Sequence, residues 1–202
     1  MTVQKRLFDV VFALILIVLL APIGMVVALV LLLTEGAPVF FVSERMKTPD
    51  QGFRLVKFRT MRPAATNGGV TGGDKSDRIS PVQRFLRRSR LDELPQLWNV
   101  LRGDMSFVGP RPPLRVYVEA FPELYAEVLA CRPGVTGLAS LTFHAHEEAI
   151  LAQASSATET DALYRRRCVP RKARLDLIYR RHASLCFDLA ILGRTLLRML
   201  RR

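Results

Sequence analysis

The apolar residues of the chain are concentrated in one long N-terminal segment. Between Leu7 and Leu33 the only ionised side chain is Asp9. A helix of about 27 residues would measure roughly 40 Å at ~1.5 Å per residue, which exceeds the ~30 Å hydrocarbon core of a bilayer. A cleaved signal peptide would have a shorter apolar region, of about 7 to 15 residues, and a small-x-small cleavage site after it. Because neither is clear here, we predict that this segment lies in a membrane.

The apolar segment contains a predicted break at Ala21-Pro22. Proline removes a helix hydrogen bond and clashes with the preceding turn, so the helix should kink there. Basic residues flank the segment on both sides, at Lys5, Arg6, Arg45 and Lys47. Since basic flanks tend to stay on the cytoplasmic side, we predict that residues 1–36 form a re-entrant helix–break–helix that enters one leaflet and returns. A straight, tilted span is the alternative.

Residues 37–202 have the patterns of a mainly α-helical domain with a small β-hairpin, an α/β arrangement. Val39 to Val42 and Phe53 to Phe58 are β-prone runs. The intervening Pro49-Asp50-Gln51-Gly52 has turn chemistry. These three segments together predict the hairpin.

Two further regions have helical periodicity. Apolar residues spaced by three and four between Val82 and Leu101 predict two helices with a break at Asp92, which would be the N-cap of the second helix. Between Arg174 and Arg202, aliphatic residues at near-helical spacing alternate with arginines, which predicts a basic amphipathic C-terminal helix. This helix either packs on the domain core or lies at the membrane interface, and both alternatives stay open.

Three other patterns carry weak signals. The glycine-rich run from Asn67 to Asp74 predicts a loop, and its spacing fits neither of the common phosphate-binding glycine motifs. His144 and His146 lack the i, i+4 spacing of a helical zinc pair. The three cysteines show no paired spacing, which predicts reduced thiols in a cytosolic domain.

The charge balance favours partners that carry phosphate. Lys and Arg number 30 against 18 Asp and Glu, which gives a net charge of +12. Nucleic acid, anionic lipid headgroups and nucleotide sugars all match this charge. The apolar N-terminus favours the membrane-linked partners, and no basic helix carries the interleaved aromatic residues of a single-strand binder. We therefore expect no nucleic-acid partner.

The run Arg90-Leu91-Asp92-Glu93-Leu94-Pro95-Gln96 sets two adjacent carboxylates beside several guanidinium groups. Guanidinium groups bind phosphate oxygens through a planar fork. Mg²⁺ takes one or two carboxylates together with phosphate oxygens, so Asp92 or Glu93 is a candidate magnesium ligand. The structural alternative is that Asp92 only caps a helix.

This run, together with the residues that follow it, closely resembles the bacterial sugar transferase family, the monotopic phosphoglycosyl transferases. The resemblance extends over three further segments, namely Gly103 to Pro112, Lys57-Phe58-Arg59-Thr60-Met61 and Arg132-Pro133-Gly134-Val135-Thr136-Gly137. It implies that Asp92 attacks the β-phosphate of a UDP-sugar, releases UMP and holds a covalent sugar phosphate. Polyprenyl (undecaprenyl) phosphate would then accept this group. The implied phosphate-binding residues are Arg87, Arg111, Arg132 and Thr136.

The resemblance also implies a cellular setting. A re-entrant helix would place the domain of residues 37–202 on the cytoplasmic face of the bacterial inner membrane, and Glu93 would assist the acceptor or the metal. The product would enter glycoconjugate assembly, for exopolysaccharide, O-antigen, capsule or a glycoprotein glycan, and homo-oligomerisation stays open. The sequence departs from the family pattern at Ala21, where serine is usual, and at Ser43-Glu44-Arg45-Met46. The alternative is a non-catalytic, membrane-anchored basic protein that binds anionic lipid or nucleic acid.

Overall fold

The computed structural model of the chain describes residues 2–61 and 78–200. The predicted glycine-rich loop at 67–74 lies outside the described residues. The helices are α1 Val3–Glu35, α2 Pro81–Ser89, α3 Gln96–Arg102, α4 Arg115–Ala120, α5 Pro122–Val128, α6 Leu138–Leu151, α7 Ala157–Leu163, α8 Val169–His182 and α9 Leu185–Leu200. The strands are β1 Phe40–Met46, β2 Gly52–Phe58, β3 Ser106–Val108 and β4 Gly134–Thr136, with a 3₁₀ turn at Leu91–Glu93 and a π-helical turn at Tyr164–Cys168.

The predicted mainly helical fold with a β-hairpin is confirmed. Strands β1 and β2 pair antiparallel, with Phe40 opposite Phe58 and Met46 opposite Gly52. The first strand is therefore longer than the β-prone run that predicted it. Asn99 of α3 contacts the free edge of β2, where its Oδ1 accepts a hydrogen bond from Val56 N at 3.1 Å. This contact fixes the hairpin against the segment that carries the two adjacent carboxylates.

Strands β3 and β4 form a second sheet, a short parallel pair that the sequence analysis did not predict. Three glycines bring the two backbones into contact. A Cβ on Gly109 would lie 2.2 Å from the Arg132 carbonyl oxygen, and a Cβ on Gly137 would lie 2.1 Å from the Gly109 carbonyl oxygen. A Cβ on Gly134 would lie 2.2 Å from Gly109 N. Only glycine fits at these positions, because the backbones occupy the space that a side chain would need.

Helix α1 is long and apolar enough to cross a membrane, by length and composition. It runs uninterrupted through Ala21-Pro22, so the secondary structure has no break there. The re-entrant path remains a prediction. Much of the helix surface is apolar and exposed, including Val18, Leu19 and Met25. Such a surface is unfavourable in water and suited to lipid.

Both ends of α1 pack on the same domain. Near the N-terminus, Arg6 donates to the carbonyl oxygen of Val100 at 2.6 Å. Near the C-terminus, Leu31 is buried in a cluster with Phe58 and Leu86. Arg59 then binds the end of the helix, donating to the Glu35 carbonyl oxygen at 2.8 Å. The helix is thus attached at two points more than twenty residues apart.

Buried polar side chains anchor the N-terminal half of α1 to β3. The Asp9 carboxylate accepts from Ser106 Oγ at 3.1 Å and from Phe107 N at 3.2 Å. Lys5 donates to the Val108 carbonyl oxygen at 3.1 Å and pairs with Asp188 of α9. A buried charge is stable only with such partners, so these contacts fix the position of the helix.

The single C-terminal helix predicted for residues 174–202 is wrong, because the structure has two helices there. Helix α8 ends at His182, and α9 begins after Ser184. Ser184 starts the new helix because its hydroxyl accepts from Phe187 N at 3.2 Å, an N-cap contact. Helix α9 packs on the core through Ile191, while Leu189 and Leu196 are exposed. Packing on the core is therefore confirmed for the inner face of α9, and membrane contact of its outer face remains a prediction.

We expect Gly109→Ala to destabilise the fold, because the new Cβ would overlap the Arg132 carbonyl oxygen. Overpacking of this kind costs about 1–3 kcal/mol, which corresponds to a melting temperature lower by roughly 2–12 °C for a chain of this size. The measurement is thermal unfolding of the purified protein in detergent. Gly193→Ala is the matched control, because nothing lies within 4 Å of its Cβ position in α9 and alanine favours a helix. Equal melting temperatures for Gly109→Ala and the wild type would contradict the backbone contact.

Candidate active site

The two adjacent carboxylates lie where α2 ends and the chain reverses. Helix α2 begins with a capping box between Ser80 and Gln83. It ends at Ser89, and the C-cap residue Arg90 has a left-handed backbone with φ of 61°. Non-glycine residues seldom adopt this conformation, and it turns the chain directly into the 3₁₀ turn Leu91–Glu93. The turn holds the carboxylates of Asp92 and Glu93, here called the acidic pair.

The prediction that Asp92 caps α3 is wrong. Helix α3 begins at Gln96, and its first residue follows Pro95. An N-cap at position 92 would accept from Leu94 N or from position 95. Leu94 N already donates to the Leu91 carbonyl oxygen at 3.2 Å, and proline has no N–H. Asp92 Oδ1 is instead buried without a hydrogen-bond partner among residues 2–61 and 78–200.

The Asp92 carboxyl group is 6 % exposed and is difficult to ionise. Burial and the charge of the neighbouring Glu93 raise the pKa of Asp92 to about 6. Lys57, Arg87 and Arg90 oppose this shift through their positive charges. The carboxyl group therefore gains a proton more readily than an exposed aspartate, yet it is ionised near neutral pH.

Glu93 has the opposite electrostatic balance. Burial alone would raise its pKa, but Arg111 and Arg90 outweigh burial and hold the pKa of Glu93 below its usual range. Arg111 Nη2 donates to Glu93 Oε1 at 2.9 Å, and Arg90 Nη1 donates to the same oxygen at 3.3 Å. In turn, Glu93 raises the pKa of Arg111. This pair stays charged, so Glu93 keeps a fixed negative charge beside Asp92.

A cavity of about 480 Å³ opens beside the acidic pair. Six lysine and arginine residues line it. Lys172 lies in α8, and the other five are here called the five cavity cations: Arg45, Lys57, Arg87, Arg90 and Arg111. Burial lowers the pKa of Lys57 to about 8, and burial together with Arg111 lowers the pKa of Arg45 to about 10. The five cavity cations outnumber the two carboxylates of the acidic pair, so positive charge is in excess in this part of the cavity. A bound phosphate group would relieve this excess.

A second, mostly apolar pocket of about 230 Å³ adjoins the polar cavity. Leu16 and Leu20 of α1 form one side of this pocket, and Met199 of α9 forms another. Arg90 and Arg111 line both spaces, so the polar cavity and the apolar pocket meet at these two guanidinium groups. The fold thereby joins a cavity lined by cations to an apolar pocket formed partly by α1.

The structure brings some predicted phosphate-binding residues together and leaves others apart. Arg87 and Arg111 line the polar cavity. Thr136 lines the apolar pocket, with its hydroxyl oxygen 3.1 Å from that of Thr195. Arg132 lines neither space. It lies near Arg6, and its own burial together with the charge of Arg6 lowers the pKa of Arg132. The motif that begins at Arg132, residues 132–137, instead forms the backbone contact between β3 and β4.

Sequence reasoning missed Arg45 and Lys57, although a signal for them was present. Strand residues alternate between two faces, so Phe53 and Lys57 share one face of β2. The register places Arg45 opposite Phe53, on that same face. The hairpin prediction combined with this alternation would have paired the two cations. Arg59, in the same motif as Lys57, contacts the end of α1 and does not line the cavity.

The acidic pair has the donor chemistry that Mg²⁺ requires. One buried oxygen of Asp92 has no partner in the part of the chain that the structure describes, and Glu93 adds a second carboxylate. Within that same part, no three His, Cys, Asp or Glu side chains converge on one point. The two carboxylates therefore fit a magnesium ion only if other groups supply most of its oxygen ligands.

The sequence model of the family described as bacterial sugar transferase matches residues 1–202, the whole chain. The chain therefore belongs to the bacterial sugar transferase family. The apolar helix and the buried acidic pair surrounded by cations are the features of the structure that accompany this membership.

Relatives with more specific names cover different shares of the chain. A UDP-glucose:undecaprenyl-phosphate glucose-1-phosphate transferase of Caulobacter vibrioides is 38% identical over 197 residues, which is 95% of this chain and 68% of that protein. A putative undecaprenyl-phosphate N-acetylgalactosaminyl 1-phosphate transferase of Bacillus subtilis is 40% identical over 118 residues, 58% of this chain and 66% of the relative. A UDP-N-acetylgalactosamine-undecaprenyl-phosphate N-acetylgalactosaminephosphotransferase of Aeromonas hydrophila is 36% identical over 143 residues, 68% of this chain and 33% of the relative.

The burial of Asp92 predicts that Asp92→Asn stabilises the unliganded protein above pH 6. The pKa of Asp92 is raised from 3.8 to about 6 on folding, so ionisation costs stability as the pH rises through this window. At pH 7.5 we expect Asp92→Asn to be more stable by on the order of 2–3 kcal/mol. At pH 4.5 the gain should shrink to roughly a third, because the native carboxyl is then protonated. Melting temperatures at the two pH values measure the difference.

Asp50→Asn is the control for this comparison, since Asp50 is an exposed carboxylate in the turn between β1 and β2. Its substitution should change the melting temperature little at either pH. A melting temperature of Asp92→Asn below that of the wild type at pH 7.5 would show that ionised Asp92 stabilises the fold, contrary to this prediction.

Proposed function

We propose that the protein transfers a sugar 1-phosphate from a UDP-sugar to undecaprenyl phosphate and releases UMP. The observation that carries this proposal is the position of the acidic pair. Glu93 binds Arg90 and Arg111, the two guanidinium groups at which the polar cavity and the apolar pocket meet, and Asp92 interacts with Lys57, Arg87 and Arg90 beside it. A nucleotide sugar needs the first space and an isoprenoid chain needs the second.

The five cavity cations are suited to the diphosphate of the donor. Charge-assisted hydrogen bonds to phosphate are about twice as strong as neutral ones, and the low dielectric of a buried site strengthens them further. Asp92 itself does not line the cavity and interacts with Lys57, Arg87 and Arg90, which do. Phosphate oxygens would compete with the Asp92 carboxylate for these cations. The cations would then shift towards the phosphates, and Asp92 would become accessible to the donor.

The first displacement forms an aspartyl phosphate ester of the sugar. An Asp92 oxygen attacks the β-phosphorus, and the bond from that phosphorus to the bridging oxygen breaks. UMP leaves with the electron pair of that bond. Positioning and charge stabilisation supply most of the acceleration in such a transfer, so the guanidinium groups of Arg87 and Arg111 are the main catalytic aids.

The second displacement regenerates the enzyme. A phosphate oxygen of the polyprenyl acceptor attacks the same phosphorus, and the bond to Asp92 breaks. The carboxylate is restored, and the product is a polyprenyl diphosphate sugar. Covalent catalysis of this kind divides one difficult transfer into two easier ones and gives ping-pong kinetics.

Glu93 has a positioning role in this scheme. Its ion pair with Arg111 holds that guanidinium at the junction of the two spaces. Asp92 and Glu93 would also hold Mg²⁺, which when bound supplies positive charge to the diphosphate oxygens. Burial, together with the neighbouring negative charge of Glu93, keeps the pKa of Asp92 raised although several cations lie nearby.

We further propose that α1 lies within one leaflet of the inner membrane, with the domain on the cytoplasmic face. The support is that both ends of the helix contact the same domain, through Arg6 and through Leu31. A straight span would carry one end to the opposite side of the bilayer, ~30 Å away. The apolar pocket lined by Leu16 and Leu20 would then open at the depth of the lipid acceptor.

UMP release with Mg²⁺, undecaprenyl phosphate and a panel of UDP-sugars tests the reaction. We expect release by the wild type with at least one donor and a loss of at least ~10³-fold for Asp92→Asn, because the amide is a poor nucleophile. Asp50→Asn should retain wild-type turnover. A non-catalytic basic protein would release no UMP from any donor, and that outcome would refute the transferase.

Intact-mass measurement without acceptor separates covalent from direct transfer. The wild type incubated with donor should gain the mass of one sugar phosphate, and Asp92→Asn should gain nothing. Addition of undecaprenyl phosphate should remove the adduct from the wild type. UMP release that requires acceptor and leaves no adduct would favour direct transfer and contradict the aspartyl intermediate.

The position of α1 predicts the accessibility of its N-terminus. In a variant without the native cysteines, we expect Thr2→Cys and Asp50→Cys to resist a membrane-impermeant maleimide in intact spheroplasts. Both should react after permeabilisation, because both would lie in the cytoplasm. Labelling of Thr2→Cys but not Asp50→Cys in intact spheroplasts would show that α1 spans the bilayer.

A further inference from the structure

Part of the polar cavity differs in chemistry from the five cavity cations. Three tyrosines line it, namely Tyr117, Tyr125 and Tyr164, which also belong to the buried core formed with α8. We call this part the tyrosine end. Asp176 and Lys172 of α8 line the same cavity. The charge of Lys172 lowers the pKa of Asp176, although burial outweighs this effect. The cations that lower the pKa of Asp92 are instead Lys57, Arg87 and Arg90.

Asp176 is a buried acid for which the proposed reaction has no use. Asp176 is only 6 % exposed. Its Oδ1 atom has no hydrogen-bond partner among residues 2–61 and 78–200. Lys172 does not supply one, because its Nζ donates to Glu147 Oε1 at 2.8 Å and to the Tyr164 hydroxyl at 3.3 Å. Burial raises the pKa of Asp176 to about 7. An acceptor buried without a donor is costly, and it commonly marks a place where a ligand donates.

The geometry of the two displacements indicates which part of the donor reaches this end. Each in-line step places the entering and leaving oxygens on opposite sides of the phosphorus. UMP leaves on the side opposite Asp92, and the lipid phosphate later enters from that side. The sugar oxygen is lateral to this line and stays on the phosphorus throughout both steps. The sugar ring therefore needs a compartment that neither UMP nor the lipid occupies.

We propose that the tyrosine end holds the sugar ring of the donor and that Asp176 accepts a hydrogen bond from a sugar hydroxyl or acetamido N–H group. Tyrosine rings offer apolar faces for the C–H groups of a hexose together with hydroxyl groups at their edges. A carboxylate that accepts from one ring substituent discriminates among donors, because the wrong epimer leaves it unpaired. Asp176 is thus a specificity-determining residue. This inference rests on the proposed sugar-phosphate transfer.

The test compares Asp176→Asn with the wild type on UDP-glucose, UDP-galactose and their N-acetylhexosamine counterparts, with UMP as inhibitor. We expect kcat/KM for the preferred donor to fall by about 10-fold or more, since a charged acceptor is replaced by a weaker neutral amide. The preference ratio between donors should change as well. The inhibition constant of UMP should stay within about twofold, because UMP has no sugar 1-phosphate to place at the tyrosine end.

Glu127→Gln is the matched control, because it neutralises an exposed carboxylate, 3.8 Å from Arg180 of α8, that does not line the cavity. It should leave the donor ratios unchanged. Tyr125→Phe removes one hydroxyl from the tyrosine end and should also change the ratios, which keeps the test valid if Asp176→Asn does not fold.

Three results would overturn the inference. An equal fall for every donor would indicate a structural role for Asp176. A parallel weakening of UMP inhibition would place the uridine part at the tyrosine end, and unchanged kinetics would show no contact. Absence of UMP release by the wild type from any donor is a different failure, since it refutes the proposed function itself.

Discussion

The backbone contact between β3 and β4 is the constraint on which the arrangement of the site depends. Gly109, Gly134 and Gly137 allow the two segments to approach within a distance that no side chain permits. Helix α1 binds to β3 through Asp9, and Arg111 follows directly after β3. The same short strand thus positions the membrane helix and a guanidinium group of the polar cavity. A shift of β3 would move both together.

The charges beside the cavity are arranged for a ligand more than for the stability of the free protein. Asp92 is buried with an unpartnered oxygen, and Lys57 and Arg45 lose part of their basicity to burial and to neighbouring cations. Such unfavourable terms are tolerated in folded proteins mainly at functional sites. In the proposed reaction the diphosphate of the donor would neutralise the cations and expose the carboxylate, which would reduce both unfavourable terms.

The contact between the polar cavity and the apolar pocket explains why the membrane helix belongs to the site. Leu16 and Leu20 of α1 form a wall of the pocket, and Arg90 and Arg111 separate it from the cavity. In the proposed reaction a water-soluble donor and a lipid acceptor must reach one phosphorus atom, and the two adjoining spaces would allow this without moving either ligand through an unfavourable medium. The helix would then provide both an anchor and part of the acceptor path.

The sequence by itself determined the features that depend on neighbouring residues. The apolar helix, the hairpin and the acidic pair were all predicted from local patterns, because hydropathy, turn chemistry and residue spacing act over short distances. Only the tertiary structure decided the rest. It placed Arg132 outside the cavity, because the motif that follows Arg132 pairs with β3, and it placed Arg45 and Lys57 in the cavity, because the hairpin packs against α3. These positions depend on contacts between segments that are distant in the sequence, which no local pattern records.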